Sequence, residues 1–377
     1  MKIGIPRGLL YYYFFPFWKT FFQELGLEVV VSDTATKKTL TAGNRYAVDD
    51  MCLPVKLYLG HVDNLSGRTD YIFLPRYLGL GKRNKICPKL MGLPDVVTSK
   101  MNGKLPATLV PDINLCSGLV SLRKIYLQLG KKLNKNILKR EVAFWKAYHQ
   151  QLVFKRLQKK GFTAREGIKA INDKIKAINN NKDKSAIMNK VDSKESAPGR
   201  SNLSEKSSLK FKQKTDKKGQ HTNNRTITLA VLGHSYITND EFLNLGLFEL
   251  LEDMGVSLIT QNMLSSKLLE KAAGKHSQKK IYWCFNRQVM GAAYYFLYEQ
   301  SQKIDGLLHV SSFGCGPDAL TGELLELKAR KREGISLLNI NLDEHSGRAG
   351  LKTRLEAFID LLERRKHHAS GNLPAYG

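Results

Sequence analysis

The stretch of sequence most suggestive of chemistry runs from Phe313 to Asp318, where Cys315 stands between Gly314 and Gly316. It follows an apolar run typical of a buried strand and precedes a predicted helix, so we expect it at the carboxyl edge of a sheet, where open α/β sheets bind ligands. Flanking glycines let backbone N–H groups approach closely, and a helix amino end stabilises a thiolate. The pattern predicts Cys315 as a metal ligand and both glycines as cofactor-binding. A tight turn with an incidental buried cysteine is the alternative.

Two further cysteines occupy similar positions. Cys52 immediately precedes a predicted helix, and Cys87 lies in a loop after a predicted strand; like Cys315, each is followed by a proline within two residues. Buried structural cysteines usually lie inside apolar strands or helices, whereas iron–sulfur clusters take thiolates from separated loops. Lys56 and Lys89 stand nearby and offset negative charge. The sequence therefore predicts Cys52, Cys87 and Cys315 as ligands of an iron–sulfur cluster.

The other two cysteines are interpreted differently. Cys116 opens a predicted helix and is a candidate fourth ligand, with a core position as the alternative. Cys284 lies in an aromatic run, which favours a small core residue. The chain contains no C-x-x-C pair, so zinc-finger, thioredoxin-like and bacterial ferredoxin patterns are disfavoured. A dispersed zinc site stays open as an alternative.

Three polar residues also follow predicted strands. His234 comes after an apolar strand and is a candidate for cofactor contact, with a turn carrying a surface histidine as the alternative. Glu344 and His345 follow the last predicted strand, at the edge where the Cys315 loop should emerge. These two are candidate catalytic residues for proton relay, and a solvated loop with helix-capping carboxylates is the other interpretation.

The elements that must position these residues alternate between strand and helix, which predicts parallel sheets covered on both faces. We expect an α/β protein with two Rossmann- or flavodoxin-like lobes, joined by a helical and disordered basic insert. The predicted units are an amino-terminal lobe at 1–140, a helical segment with a Lys-rich disordered linker at 141–225, and a carboxyl-terminal lobe at 226–377.

Charge and composition exclude several classes of protein. The formal charge is +26, but residues 151–225 carry about 20 Lys and Arg against about 7 Asp and Glu, so half of the excess belongs to the insert. The insert lacks the interleaved aromatics used for base stacking, which argues against nucleic-acid binding. No apolar run reaches the roughly 18–20 residues that cross a bilayer, and no signal peptide precedes the first strand, so a cytoplasmic protein without a membrane span is expected. No G-x-x-x-x-G-K-[ST] sequence is present, which argues against ATP hydrolysis by a P-loop route.

Six motifs, collinear along both predicted lobes, resemble the family of proteins related to 2-hydroxyacyl-CoA dehydratases and their activases. They are Gly4–Leu9, Cys52–Lys56, Cys87–Lys89, Gly233–Tyr236, Phe313–Asp318, and Asp343–Gly347 with the following Ala349–Phe358. Only the basic insert lies outside this correspondence.

The resemblance implies an oxygen-sensitive [4Fe–4S]-type centre in anaerobic metabolism. It also implies partners: a separate activase that couples ATP hydrolysis to electron delivery, dehydratase-like or reductase-like subunits, and an acyl-CoA ligand. The actin-like ATPase fused to this region in large relatives is expected in another chain. A homodimer is compatible with the sequence.

Three hypotheses of function follow. The first is a low-potential electron-transfer or reductive component, or a dehydratase-like lyase in which an open iron position acts on substrate. The second is a non-catalytic accessory protein that binds and helps assemble an acyl-CoA enzyme. The third is nucleic-acid binding through the basic insert, with strong salt dependence.

Overall fold

The computed structural model describes residues 1–81, 84–179, 226–277, 279, 281–332 and 335–369. Across these residues strands and helices alternate around parallel sheets, which confirms the predicted α/β class. The predicted disordered linker lies almost entirely in residues 180–225, outside the described residues. The predicted domain boundaries stay a prediction.

The first half of the chain is built on a parallel four-stranded sheet. Its strands are β1 (Lys2–Ile5), β2 (Glu28–Val31), β3 (Tyr71–Phe73) and β6 (Ala107–Leu109). Their spatial order is β2-β1-β3-β6. Ile3 of β1 pairs with Val29 on one side and with Tyr71 on the other. These β-branched and aromatic residues suit strands that helices cover on both faces.

Eight helices surround this sheet among the described residues before the insert. They are α1 (Tyr11–Glu24), α2 (Lys37–Asn44), α3 (Leu53–Leu65), α4 (Pro88–Met91), α5 (Leu93–Lys100), α6 (Gly118–Lys132), α7 (Ile137–Lys159) and α8 (Ala164–Asn179). Aromatic contacts hold α1 to its neighbours, with Phe17 packed against Tyr126 of α6 and Phe144 of α7. Helix α1 ends at Gly26, whose φ of +81° suits glycine. The helical segment after position 140 therefore packs onto the first half.

A small mixed sheet is formed by residues between β3 and α6, and the sequence predicts only the loop that carries Cys87 where its first two strands lie. It consists of β4 (Arg76–Gly81), β5 (Asn84–Lys85) and β7 (Asp112–Asn114), in the order β5-β4-β7. Strand β5 is antiparallel to β4, whereas β7 is parallel to it. These strands give little signal in the sequence, because β5 and β7 are only 2 and 3 residues long and β4 carries two glycines.

The second half repeats the parallel architecture. Its strands are β8 (Thr228–Gly233), β9 (Ser257–Thr260), β10 (Gly306–Ser312) and β11 (Ser336–Leu342), in the order β11-β10-β8-β9. Its helices are α9 (Ser235–Thr238), α10 (Leu247–Asp253), α11 (Ser266–His276), α12 (Cys284–Tyr294), α13 (Gly316–Arg330) and α14 (Arg348–Ala369). Every residue of β10 is buried. We call β1, β2, β3, β6 and α1–α8 the first lobe, and β8–β11 with α9–α14 the second lobe.

The two parallel sheets have the same strand order. Numbered within each lobe, both read 2-1-3-4, which is the order of flavodoxin-like sheets. The order reverses between the first and third strands, so each sheet has its switch point beside the loops that follow those strands. Ligands of open α/β sheets bind at such points. A ligand is therefore expected at the carboxyl ends of β1 and β3 in one lobe, and of β8 and β10 in the other.

A close helix crossing also recurs in both lobes. A Cβ atom at Gly60 of α3 would overlap the carbonyl oxygen of Thr39 in α2. In the second lobe, a Cβ at Gly291 of α12 would overlap the carbonyl oxygen of Leu269 in α11. In each lobe the helix that leads into the third strand therefore crosses its predecessor at a position where only glycine fits.

The lobes meet along α1. The Tyr12 hydroxyl donates to the Asp240 carboxylate at 2.9 Å, and the Tyr13 hydroxyl accepts from the backbone N–H of Ser235 at 2.9 Å. One continuous cluster of buried apolar residues includes members of both lobes. Among the described residues, no helix is both long and apolar enough to cross a lipid bilayer.

Candidate metal centre

A narrow cavity lies where loops from the two lobes face each other. The loop after β1 contributes Leu9, and the loops after β8 and β10 contribute His234 and Cys315. Leu9 adopts a left-handed conformation, with φ of +51°, which is strained for a residue with a side chain. The switch points of both sheets therefore open onto the same space.

Two of its thiols come from the first lobe. Cys52 is the residue before α3 and Cys87 the residue before α4, and in each case a proline occupies the first turn. The Cys52 carbonyl accepts from the N–H of Val55 at 2.9 Å, and the Cys87 carbonyl accepts from Leu90 at 3.0 Å. Proline suits this position because its missing N–H needs no partner there. Cys52 consequently stands at the amino end of a 13-residue helix, where the helix dipole favours negative charge, whereas Cys87 precedes a single helical turn.

Two more thiols come from the second lobe. Cys315 is the residue before α13, and Cys284 is the first residue of α12. Cys284 is only 2% exposed, whereas the other three thiols that line the cavity are partly exposed. The cavity is thus lined by four of the five cysteines, each at a helix start.

Gly314 brings the two lobes into contact. Its φ is +77°, and a Cβ added to it would lie 3.1 Å from the Cα of Cys52. A side chain at this position is both strained and crowded. Gly314, predicted as a cofactor-binding residue, is thus the point where the Cys315 loop packs on the Cys52 loop, whereas Gly316 has open space around it.

Burial keeps the thiols of Cys52, Cys284 and Cys315 protonated while no metal is bound. It raises the pKa of Cys284 to about 12, and it raises the pKa values of Cys52 and Cys315 above the usual value for a thiol. Negative charge on neighbouring thiols adds to this, since Cys87 raises the pKa values of all three. A metal ion or cluster must therefore displace these protons when it binds.

Behind Cys315 lies a buried polar network. One ligand atom each from His234, Cys315 and Asp318 lie within 4.8 Å of one another. The amide of Asn286 donates to Oδ1 of Asp318 at 2.8 Å, and the Tyr236 hydroxyl lies 2.5 Å from Nδ1 of His234. Among the described residues, neither Nε2 of His234 nor Oδ2 of Asp318 has a hydrogen-bond partner. Two buried polar atoms are thus available to a ligand.

The contact between His234 and Asp318 is not an ion pair at neutral pH, although Nε2 lies 3.3 Å from Oδ1. Burial lowers the pKa of His234 to about 3, so its imidazole is neutral. Burial raises the pKa of Asp318 to about 6, and the nearby His309 partly offsets this. This end of the cavity is a desolvated site that disfavours charge on either partner.

Positive charge comes instead from the first lobe. Lys89 lines the cavity and its ammonium contacts Asp50, both through the carboxylate at 3.6 Å and through the backbone carbonyl. Lys56, one turn into α3, lies 3.8 Å from the carboxylate of Glu344. The two lysines predicted to offset thiolate charge therefore each have an acidic partner.

The remaining predicted site residues lie elsewhere. Cys116 is exposed in a short 3₁₀ turn, where its N–H donates to the side chain of Asn114 at 3.0 Å. Glu344 accepts from the amide of Asn44 at 3.3 Å, and the His345 side chain is 87% exposed. None of Cys116, Glu344 and His345 is among the residues that line the cavity. The catalytic role of the latter two stays a prediction.

Sequence reasoning missed two residues of the cavity region. Cys284 was assigned to the core, and it is indeed buried, but it also faces the cavity. Asp318 was noted only as part of the Cys315 loop, and it is fully buried beside His234. The local sequence of Cys284 gives little signal, because it lacks the proline that follows Cys52, Cys87 and Cys315 within two residues.

Comparison with known proteins places these features in a family. A family model described as the CoA enzyme activase uncharacterised domain (DUF2229) matches residues 2–264. No curated protein sequence matches the chain significantly. The matched region covers the whole first lobe with Cys52 and Cys87, and it extends into the second lobe through β9. The chain therefore belongs to the CoA enzyme activase-related domain family.

Proposed function

We propose that this protein carries a [4Fe–4S]-type cluster in the cavity between its lobes and serves as a redox component of a CoA-dependent enzyme system. The observation that carries the proposal is the convergence of Cys52, Cys87 and Cys315 on one cavity, although more than 200 residues separate the first two from the third. Dispersed thiolates from separate loops are the donor set that such clusters use.

The surroundings of the cavity fit an anionic cluster. Each of these thiols lies at a helix amino end, and Lys89 adds a positive charge at the rim. The space among the side chains is about 20 Å³, which is room for one water molecule. We therefore expect the thiols to move apart when a cluster enters. When bound, the cluster supplies one-electron transfer at a potential set by hydrogen bonds, charge and burial.

Electron transfer is favoured over acid–base catalysis. The two predicted proton-relay residues, Glu344 and His345, lie outside the cavity lining, and His345 is largely exposed. Family membership supports a link to the acyl-CoA dehydratase and activase system. The partners we propose are a separate activase ATPase and dehydratase-like or reductase-like subunits, with acyl-CoA bound by the assembly. An accessory role in enzyme assembly, a homodimer and a cytoplasmic location remain hypotheses.

Anaerobic purification tests the cluster directly. We expect a brown protein with about four irons and four sulfides per chain, and an electron paramagnetic resonance signal after reduction. Cys315→Ser should lower the iron content, whereas Cys116→Ser should not. A colourless, iron-free protein from a strictly anaerobic preparation, also after reconstitution with iron and sulfide, would contradict the proposal.

One observation favours a second candidate, a single-ion site. His234, Cys315 and Asp318 place three donor atoms within 4.8 Å of one another, and such mixed nitrogen, sulfur and oxygen sets bind Zn²⁺. Burial of the carboxyl and the imidazole in one desolvated pocket suits a divalent cation. Metal analysis separates the two: stoichiometric zinc without sulfide supports the single-ion site, and iron with equimolar sulfide supports the cluster.

A further inference from the structure

The two lobes are structural repeats beyond their strand order. In each lobe, the helix between the second and third strands crosses its predecessor at a glycine, Gly60 in one and Gly291 in the other. In each lobe, that helix begins at a cysteine of the cavity. Cys52 lies eight residues before Gly60, and Cys284 lies seven residues before Gly291. Cys52 and Cys284 therefore occupy corresponding places.

The other two thiols of the cavity also correspond. Cys87 and Cys315 each follow the third strand of their sheet and each lie immediately before a helix whose first turn contains proline. In the first lobe β4 and β5 of the small mixed sheet lie between β3 and Cys87, whereas the second lobe passes directly from β10 to Cys315. Along the chain, each lobe thus has one thiol before its third strand and one thiol after it.

Contacts between the lobes follow the same correspondence. Gly314 packs on Cys52, so the loop of Cys315 touches the loop of Cys52. The corresponding contact joins the loop of Cys87 to that of Cys284: Lys85 forms a β-bridge with Trp283, and its N–H donates to the carbonyl of Tyr282 at 3.2 Å. Two independent backbone contacts therefore bring the four thiols together in two cross-lobe pairs.

From this arrangement we infer that Cys284 is the fourth thiolate ligand of the cluster, so that each lobe supplies two ligands. The inference rests on the cluster proposed above and goes further, because it fills all four coordination positions with protein sulfur. On binding, each thiol releases its proton to solvent and its sulfur donates an electron pair to iron.

With only three protein ligands, the cluster could either bind a substrate or transfer electrons. The assignment of Cys284 as the fourth ligand decides between these two kinds of chemistry. An iron with a free position can bind a substrate oxygen directly, as a dehydratase-like lyase requires. A cluster held by four thiolates has no such position and is restricted to electron transfer. With Cys284 as a ligand, this chain delivers electrons to a partner and does not itself act on a substrate through iron.

Three alanine variants of the anaerobic full-length protein test the ligand. They are Cys284→Ala, the cavity control Cys315→Ala and the surface control Cys116→Ala. We expect iron in Cys284→Ala to fall to about three per chain or fewer, with a three-iron signal in electron paramagnetic resonance after mild oxidation. Added 2-mercaptoethanol should restore the wild-type spectrum of Cys284→Ala, and Cys116→Ala should match the wild type throughout.

The wild-type protein provides a second measurement that needs no variant. Mössbauer spectra should show all irons in thiolate coordination, and cyanide should leave the paramagnetic signal of the reduced cluster unchanged. A cyanide-induced shift, or full iron content with an unaltered spectrum in folded Cys284→Ala, overturns the assignment while the cluster stands. Absence of iron from the wild type overturns the cluster itself, so the two failures are distinguishable.

Discussion

The two lobes share a backbone plan and differ in what surrounds their thiols. Behind Cys315 in the second lobe lies a closed network of His234, Asn286 and Asp318, in which burial disfavours charge. Beside Cys87 in the first lobe stands Lys89, partly exposed and charged. Strand order and helix crossings therefore determine the positions of the thiols. The neighbouring side chains determine the electrostatics on each side of the cavity.

The largest loss of stability is expected at the two glycines where the helices of each lobe cross. Gly60→Val and Gly291→Val each force a side chain into a backbone carbonyl of the neighbouring helix. We expect each to lower the free energy of unfolding by more than about 3 kcal/mol, as severe overpacking does. Chemical denaturation measures this. Gly350→Val is the control, because nothing lies within 4 Å of that position, and equal loss in all three variants would break the comparison.

The next effect concerns the contact between the lobes. In Gly314→Ala, the new Cβ would stand on a residue with φ of +77° and lie 3.1 Å from the Cα of Cys52. We expect the free energy of unfolding to fall by about 2 kcal/mol and the iron content to fall as well. Gly316→Ala, in open space two residues later, should retain both stability and iron. The idea that Gly314 joins the cysteine loops fails if the two variants behave alike in denaturation and metal analysis.

The first lobe buries His61 and the second lobe buries His234 and His309, which predicts how stability depends on pH. Burial lowers the pKa of His61 and of His234 to about 3, below the 6.5 of the unfolded chain. Between these values the unfolded chain binds more protons, so stability falls as the pH drops below 6.5. Asp318, with a pKa raised to about 6, acts in the opposite direction, because the folded state holds its proton more tightly.

His61 should therefore contribute about 2 kcal/mol to the acid slope between pH 6.5 and 5, and buried His309 adds to it, because burial lowers its pKa as well. His61→Gln should flatten the dependence of the denaturation midpoint on pH, whereas His345→Gln, at an 87% exposed side chain, should leave it unchanged. An unaltered slope in His61→Gln would show that the protons are taken up elsewhere.

The smallest effect is expected at the α1 tyrosines. Tyr12→Phe removes the hydroxyl that donates a buried hydrogen bond to the Asp240 carboxylate. The carboxylate still accepts hydrogen bonds from the N–H groups of Phe242 and Leu243. A loss of about 1 kcal/mol is expected. Tyr13→Phe leaves the buried backbone N–H of Ser235 without its acceptor, and we expect a comparable loss. Thermal unfolding measures both losses, and wild-type stability in either variant would show that its hydrogen bond does not hold the lobes together.

The sequence was sufficient for the fold class because its strand signals are strong. The strands Thr228–Gly233 and Gly306–Ser312 are buried almost throughout and consist mainly of apolar residues, as expected for parallel strands covered on both faces. The small mixed sheet escaped prediction because the pairing of β5 with β4 depends on contacts that two residues cannot encode locally. Its position matters, since it carries the chain to Cys87.

The site was only partly predictable for a related reason. Cys52, Cys87 and Cys315 stood out because helix-start and proline signals are local in sequence. Cys284 lacked the proline and lay among aromatics, so its neighbours indicated a core residue. Its placement in the cavity follows from the β-bridge between Lys85 and Trp283, a contact across almost 200 residues that no local pattern reveals.

The wide separation of the cavity residues along the chain also constrains how the protein matures. Leu9 and Pro317 line the same space, so the pocket cannot close on a ribosome-bound chain until the last lining residues have left the exit tunnel. A metal that needs thiols from both lobes can therefore be bound only after the second lobe has been made and has folded against the first.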